Sequence, residues 1–185
     1  MRQGQGDRKE GDLLPGPSLS RRRRLGDLAR GQIVGLINLR PAAEADFEDL
    51  LALSIKVLRA DLERLGRFDP DRRRARLRAV FDQGSFQVID LDGLLIGCIA
   101  AGVVENHIAL HSVYLAPEAQ GHGIGSHVVA LVLDALPALP MRIEVLKGSR
   151  ARRFWERQGF AWVAAQAFDD VMERPAKPVA AAAGE

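Results

Sequence analysis

The stretch that most constrains this chain is a glycine-rich turn between an alternating apolar segment and a helical pattern. Residues 107–115 alternate in polarity, as a half-buried strand does. The turn follows at residues 120–125, Gln-Gly-His-Gly-Ile-Gly, and the helical pattern begins at Ser126. The first N–H groups of a helix have no intrahelical partners, and glycines let the backbone turn several of them toward one phosphate. Strand, turn and helix in this order predict an anion-binding site.

The turn does not match the two common nucleotide-binding loops. A dinucleotide fingerprint reads Gly-x-Gly-x-x-Gly, whereas this turn reads Gly-x-Gly-x-Gly. A P-loop ends in Gly-Lys-Ser or Gly-Lys-Thr, and no such lysine is present. Taken alone, the turn is also compatible with a tight structural connection.

Composition excludes several classes of protein. A single cysteine, Cys98, rules out an intramolecular disulfide framework and a cysteine-based zinc cluster. The four histidines show no metal-ligand spacing, and no apolar run approaches the ~20 residues of a membrane span. We therefore expect a cytoplasmic protein without a metal and without membrane contact. Cys98 lies among apolar residues and is interpreted as a core residue.

Charge and composition separate the two ends from the rest. Residues 1–30 carry a net charge of +4 against +2 for the whole chain, so the remainder carries −2. This balance makes nucleic-acid binding by the folded part unlikely. Residues 1–31 are predicted to be a disordered basic tail, with a nucleic-acid tether as the alternative. Residues 32–175 are predicted to be one domain, and residues 176–185 a flexible C-terminal tail.

Periodicity and turn signals predict an α/β chain with a mixed sheet. The predicted strands are Gln32–Arg40, Phe86–Ile89, Leu94–Ala101, His107–Leu115, Met141–Leu146, Phe160–Ala165 and Asp170–Glu173. The predicted helices are Ala42–Leu65, Pro70–Phe81, Ser126–Leu136 and Arg150–Arg157, with Asp46, Asp69 and Ser149 as caps. Because a helix joins the fourth and fifth strands, we expect these two to be parallel neighbours.

Two motifs in this order resemble the GNAT superfamily of N-acetyltransferases, over roughly residues 37–175. The first motif is Gln120-x-x-Gly123-x-Gly125, and the second runs from Ala151 through Phe154-Trp155-Glu156 to Gly159-Phe160. The resemblance implies a GNAT-like mixed, mostly antiparallel sheet of about seven strands flanked by helices. Its central parallel pair would be splayed. It also implies acetyl-CoA as the cofactor.

The resemblance assigns cofactor contacts to three places. The pantetheine arm would pair with the strand at Val113, Tyr114 and Leu115, and the backbone N–H of Val113 would serve the thioester oxygen. The pyrophosphate would lie on the turn formed by Gln120, Gly121, His122, Gly123, Ile124, Gly125 and Ser126. Further contacts are expected from Ser149, Arg152 and Trp155.

The catalytic prediction rests on His111 as the base that removes the amine proton. It is two residues before Val113, so strand alternation would place both side chains on one face. A hydrogen-bonded structural histidine is an equal alternative, and Glu144 and Glu105 are the next candidates. Trp155 stands where relatives have a tyrosine. Its N–H cannot give up a proton at neutral pH, so we expect the thiolate, from a thiol of pKa ~8.5, to leave unaided.

Two functions compete at this point. The first is an acetyl-CoA-dependent N-acetyltransferase, in which a primary amine attacks directly in a ternary complex. The second is a non-catalytic acyl-CoA-binding or regulatory module on the same fold. The acceptor would be a small-molecule or peptide amine, and homodimerisation is left open.

Overall fold

The computed structural model describes residues 35–176. The strands are β1 (Ile37–Pro41), β2 (Phe86–Leu91), β3 (Leu94–Val104), β4 (His107–Leu115), β5 (Met141–Leu146), β6 (Ala161–Ala165) and β7 (Asp169–Arg174). The helices are α1 (Phe47–Arg64), α2 (Pro70–Phe81), α3 (Ile124–Ala135) and α4 (Ala151–Arg157). The predicted N-terminal tail, and all but the first residue of the predicted C-terminal tail, lie outside the described residues. The predicted domain limits stay a prediction.

The strands form one seven-stranded sheet in the order β1-β2-β3-β4-β5-β7-β6. Every neighbouring pair is antiparallel except β4 and β5, which are parallel. Helix α3 makes the crossover between these two strands, as a parallel connection requires. The predicted mixed α/β sheet with a central parallel pair is confirmed.

The helices cover the two faces of the sheet separately. Apolar residues of α1 and α2, among them Leu50 and Leu77, pack against one face together with Cys98. Residues of α3 and α4, among them Val128 and Trp155, pack against the other face. Burial raises the pKa of the Cys98 thiol to about 12, so it stays protonated at neutral pH, as the core interpretation predicts.

Several predicted boundaries need correction. Helix α1 begins at Phe47 rather than Ala42, because a 3-10 turn at Glu44–Asp46 precedes it. Asp46 stands at the N-cap but makes no side-chain cap, since its carboxylate binds the Arg40 guanidinium through two contacts of 2.8 Å. Strand β1 begins at Ile37 rather than at Gly35 or Leu36, and residues 32–34 of the predicted strand lie outside the described residues.

The later boundaries differ by one to three residues, and the largest difference is at β3, which ends at Val104 rather than Ala101. Helix α3 begins at Ile124 rather than Ser126, because Gly123 takes the N-cap position. Helix α4 begins at Ala151, so Arg150 and not Ser149 is its N-cap. Asp69 does cap α2, accepting from the backbone N–H groups of Asp71 and Arg72.

Within residues 35–176, no helix is long and apolar enough to cross a membrane. In the same part of the chain, no three His, Cys, Asp or Glu side chains come together in the way metal ligands do.

Candidate active site

Strands β4 and β5 stop pairing after three residue pairs. Ile108 pairs with Met141, Ala109 with Arg142 and Leu110 with Ile143, and no pairing follows. Residues 111–115 of β4 therefore have no strand partner on the β5 side within the described chain. The wedge between the strands exposes backbone N–H and C=O groups, to which an extended ligand can bind as an added strand.

A β-bulge interrupts β4 at the start of this wedge. His111 pairs with Ala100 and Tyr114 with Cys98, so β4 holds one more residue than β3 between the two pairs. Ser112 takes a φ of +51°, in the left-handed region that non-glycine residues seldom adopt. The extra residue turns the following side chains to the opposite faces.

The bulge corrects the argument that placed His111 beside Val113. Before the bulge, Leu110 packs in the α3–α4 core, so His111 lies on the α1–α2 face. After the bulge, Val113 packs in the α3–α4 core, whereas Tyr114 packs against α1 and α2. His111 therefore shares its face with Tyr114, and simple alternation gave the wrong partner.

The glycine turn leads directly from the wedge into α3. Gly121 and Gly123 have φ values of +81° and +83°, and a Cβ atom at either position would meet nothing within 4 Å. None of the N–H groups of residues 121–126 donates to another backbone group in the described chain. These groups lie at the positive end of the α3 dipole, which is the geometry of an anion site.

The third glycine of the motif, Gly125, is required for helix packing. A Cβ at Gly125 would lie 3.2 Å from the Phe154 ring, so this glycine allows α3 to approach α4 closely.

Side-chain hydrogen bonds also hold the turn in place. The Gln120 amide donates to the Leu115 carbonyl at 2.9 Å, and His122 Nδ1 donates to the Gln120 carbonyl at 2.8 Å. Ser126 Oγ accepts from Gln158, the residue that follows α4.

The other predicted cofactor residues divide into two groups. Ser149 Oγ, in the β5–α4 loop, is buried and has no hydrogen-bond partner among residues 35–176. A buried orphan hydroxyl is unusual and fits a missing ligand. By contrast, Arg152 is engaged by Glu156 at 3.0 Å and Asp170 at 3.2 Å. Trp155 is 3% exposed and forms edge-to-face contacts with Phe154 and Phe160.

The cofactor expectation can be tested on these features. An acyl-CoA needs an anion site for its pyrophosphate and a backbone edge for its amide-bearing arm. The free N–H groups of residues 121–126 and the unpaired edge of β4 meet these two needs. The residues present therefore fit coenzyme A.

A charged cluster lies on the α1–α2 side of the wedge. Burial lowers the pKa of the half-buried His111, while the Glu144 carboxylate acts in the opposite direction and Arg76 adds to the lowering. Arg76, from α2, lies 3.7 Å from Glu144. Burial is also the main cause that raises the pKa of Asp169, and Glu144 contributes to the rise. His111 is thus held neutral at pH 7, as a proton acceptor must be.

Three loops close this side of the site. The Arg67 guanidinium, between α1 and α2, stacks 4.3 Å from the centre of the Phe168 ring, between β6 and β7. Arg64 donates to the Lys147 carbonyl at 2.6 Å, and the Lys147 ammonium donates to the Gln166 carbonyl. The loops after α1, β5 and β6 are therefore tied to one another around the cluster.

No motif in the sequence pointed to Arg73, Arg76 or Asp169. Arg73 is 9% exposed and binds Ser54 Oγ and the Tyr114 hydroxyl, which anchors α2 to β4. Its neighbours Arg74 and Arg78 do lie at the surface, in ion pairs with Glu48 and Glu44. Only Asp169, a carboxylate next to the start of a predicted strand, left a signal that sequence reasoning could have used.

Comparison with solved structures supports this architecture. PaiA N-acetyltransferase from Thermoplasma acidophilum, in complex with coenzyme A, superposes with a TM-score of 0.62 at 21% identity, over 75% of this chain and 98% of that one. A GNAT-family acetyltransferase from Bacillus cereus gives a TM-score of 0.59 at 13% identity, over 77% and 99% of the two chains. N-acetylglutamate synthase from Neisseria gonorrhoeae, complexed with coenzyme A and N-acetyl-glutamate, gives 0.57 at 17%, over 76% and 35%.

A comparison with curated protein sequences found no match. The model of the acetyltransferase (GNAT) family matches residues 48–160, which is more than half of the chain. This segment runs from α1 through the wedge and the glycine turn to the end of the second predicted motif. The chain therefore belongs to the GNAT family of acetyltransferases.

Proposed function

We propose that this chain is an acetyl-CoA-dependent N-acetyltransferase that acts on a primary amine by direct attack in a ternary complex. The observation that carries the proposal is the continuity between the unpaired edge of β4 and the turn of free N–H groups at residues 121–126. A pantetheine arm that ends in a pyrophosphate needs these two features in this order. The single, buried cysteine is consistent with the further proposal of a cytoplasmic location.

The proposal gives each part of the cofactor a place. The N–H groups of residues 121–126 would hold the pyrophosphate, and the β4 backbone at Val113, Tyr114 and Leu115 would pair with the pantetheine amides. Ser149 Oγ would find its missing partner there. Trp155 would contribute only through packing, and Arg152 is left out because two carboxylates already bind its guanidinium.

Acetyl-CoA supplies the acetyl group as a thioester. The amine nitrogen bonds to the carbonyl carbon, the carbon–sulfur bond breaks, and its electron pair leaves with the sulfur. The backbone N–H of Val113 would donate to the carbonyl oxygen as that oxygen gains negative charge. His111 would accept the proton that the ammonium form must lose before attack and would pass it to solvent. The second proton, which nitrogen loses after attack, would go to the sulfur, so acetyl-CoA and the ammonium give amide, coenzyme A and one proton.

The electrostatics of the cluster support His111 as the base. A lysine-like amine has a pKa of ~10.4, so a neutral acceptor for its proton accelerates the reaction. Burial keeps His111 neutral, and Glu144 would stabilise the imidazolium once it forms. We propose that the amine enters on the α1–α2 side, between the loop after α1 and the loop between β6 and β7. It would meet Glu144 and Asp169 there.

One observation favours the competing function, a non-catalytic acyl-CoA-binding module. Trp155 is packed in the core and offers no proton for the departing thiolate. In that case the wedge and the turn would bind coenzyme A, and no amine would be acetylated.

The first experiment is calorimetric titration of the full chain with acetyl-CoA and with coenzyme A. Gly123→Glu should abolish binding, because it places a side chain and a negative charge in the anion site. Gly84→Glu is the matched control, since Gly84 also has a positive φ and open space but lies in the turn after α2. Absence of binding by the unmodified protein would overturn both functions.

The second experiment separates the two functions by thiol release with a panel of amines. Release that requires an amine and fails in His111→Gln would support the transferase. Tight binding of acetyl-CoA without release from any amine would instead favour the binding module.

A further inference from the structure

Arg67 presents an unused guanidinium at the edge of the charged cluster. It is exposed, lies between α1 and α2, and stacks on the Phe168 ring at 4.3 Å from the ring centre. Within residues 35–176, none of its side-chain N–H groups makes a hydrogen bond or an ion pair. Stacking on a ring holds the plane of a guanidinium and leaves its in-plane N–H groups free to bind a carboxylate or a phosphate through two contacts. Arg67 is therefore a preorganised binding group without a ligand from the described chain.

Lys147 brings a second positive charge to the same loop between β6 and β7. Its backbone N–H donates to the Phe168 carbonyl at 3.0 Å. Its ammonium donates to the Gln166 carbonyl and, at 3.5 Å, to the Ala167 carbonyl. These acceptors are neutral, and no carboxylate of the described chain forms an ion pair with Lys147. Two positive charges without a carboxylate partner thus meet at one loop.

Both charges lie close to the carboxylates of the cluster. Asp169 directly follows Phe168 in the chain. Burial raises the pKa of Asp169, and the charges of Arg76, Lys147 and Arg67 oppose this rise. Neither Lys147 nor Arg67 pairs with Asp169 itself, so the two cations are close to the site but remain available to a ligand. A molecule that enters between the loops meets positive charge on the loops and negative charge on the strands.

We propose that Arg67 and Lys147 form an oxyanion subsite, and that the acceptor amine carries a carboxylate or a phosphate at its other end. This inference rests on the proposed acetyl transfer, because it names the substrate class of that same site. The ammonium end would lie between Glu144 and Asp169 beside His111, and the anionic end would bind the two cations. A simple alkylamine would leave these cations unused, and a diamine would meet them with charge of the same sign.

The first test is thiol release with four sets of straight-chain primary amines of matched length. The sets end in a methyl group, a carboxylate, a phosphonate or a second ammonium. We expect kcat/KM to be at least about tenfold higher for an anionic end than for a methyl end, because a hydrogen bond to a charged group contributes that much or more. The better anionic end identifies the oxyanion, and the diamines should be the poorest set. Equal values for methyl and anionic ends would overturn the proposal.

A change of charge at Arg67 separates recognition from packing of the loop. Arg67→Gln should remove the preference for an anionic end, through KM more than through kcat, because the far end of the acceptor takes no part in the chemistry. Arg67→Glu should turn the preference toward diamines, which a loosened loop cannot do.

Arg59→Gln is the matched control for these variants. Arg59 also lies over a ring, 5.0 Å from the centre of Phe68, but it already has an ion pair with Glu63. Its replacement should keep the preference for an anionic end. A preference that survives Arg67→Glu, or one that is lost equally in Arg59→Gln, would contradict the subsite.

Equilibrium binding makes the subsite testable without turnover. Calorimetry with the same four sets of amines, on the full chain saturated with coenzyme A, measures recognition alone. Binding of anionic amines that depends on Arg67 but gives no thiol release would uphold the subsite and overturn acetyl transfer. Thiol release from all four sets at equal rates would do the reverse, and neither binding nor release would overturn both.

Discussion

The two halves of the site are built from different chemical groups. The proposed cofactor half consists of backbone, namely the free edge of β4 and the N–H groups of residues 121–126. The proposed acceptor half consists of side chains from α2, β4, β5 and β7, which are Arg76, His111, Glu144 and Asp169. A backbone site demands particular φ values and leaves closely spaced glycines in the sequence. A side-chain site assembled by topology leaves scattered residues with no fixed spacing.

The largest expected effect is on the acceptor half. In His111→Gln, kcat should fall at least about a hundredfold, because a positioned base contributes roughly that much or more. The affinity for coenzyme A should stay the same, since the cofactor half uses no part of this side chain. Steady-state kinetics and calorimetry measure the two quantities separately.

His107→Gln is the matched control for this variant. His107 lies four residues before His111 on the same strand, further from the wedge, and is also half-buried. Its replacement should change kcat by no more than a few-fold. If both variants lose activity equally, or if His111→Gln retains full activity, His111 is a structural histidine and the acceptor half contains another base.

The second-largest expected effect is on the cofactor half, which consists of backbone. Gly123→Ala should weaken coenzyme A binding about tenfold, because alanine is strained at a φ of +83° and shifts the N–H groups that follow. Gly84→Ala carries the same kind of strain at a φ of +71°. Both variants should lose roughly 1 kcal/mol of unfolding free energy, but only Gly123→Ala should bind more weakly. Equal affinities in calorimetry would contradict the role of the turn.

The same contrast explains what the sequence could predict. Within residues 35–176, alternation, helical periodicity and turn residues located every strand and α-helix, with boundaries correct to within five residues. The helix between β4 and β5 predicted their parallel pairing. Asp69 was assigned correctly as a cap because a proline follows it. Asp46 was assigned wrongly, since its partner Arg40 lies in another element and competes for the carboxylate. Local signals succeed where the interaction itself is local.

The bulge at Ser112 shows the same limit inside the site. No glycine or proline marks it, and the extra residue is apparent only from the pairing of β4 with β3. Strand alternation without this bulge would place His111 on the same face as Val113, which is why the prediction was wrong. Asp169 and Arg76 entered the acceptor half through the packing of β7 and α2, which no spacing in the sequence encodes.

A smaller effect tests the charges around His111. Glu144 raises the His111 pKa and Arg76 lowers it, so their removal should move the acidic limb of the rate profile in opposite directions. With His111 as the proposed base, activity requires the neutral imidazole and should be lost as the pH falls through the His111 pKa. Glu144→Gln should shift this limb to lower pH, and Arg76→Gln to higher pH. Because both side chains are partly exposed, each shift should be a few tenths of a pH unit and should shrink in high salt.

Opposite pH shifts in Glu144→Gln and Arg76→Gln distinguish this charge effect from other causes of lost activity. A general loss of stability would lower the rate at every pH without moving the limb. Shifts of the same sign in both variants, measured as kcat/KM against pH, would mean that another group controls the acidic limb. Asp169 would then be the next candidate, since burial already raises its pKa toward that range.

The smallest effect concerns Trp155, which stands where the resemblance leads us to expect a tyrosine. Trp155→Phe should leave kcat within about twofold, because the indole is packed between Phe154 and Phe160 and supplies no proton. It should cost about 1–2 kcal/mol of unfolding free energy, since phenylalanine leaves part of the indole volume empty. Thermal unfolding and thiol release measure the two effects. A tenfold fall in kcat with little loss of stability would instead assign the indole N–H to the reaction, and side-chain chemistry would then extend into the cofactor half.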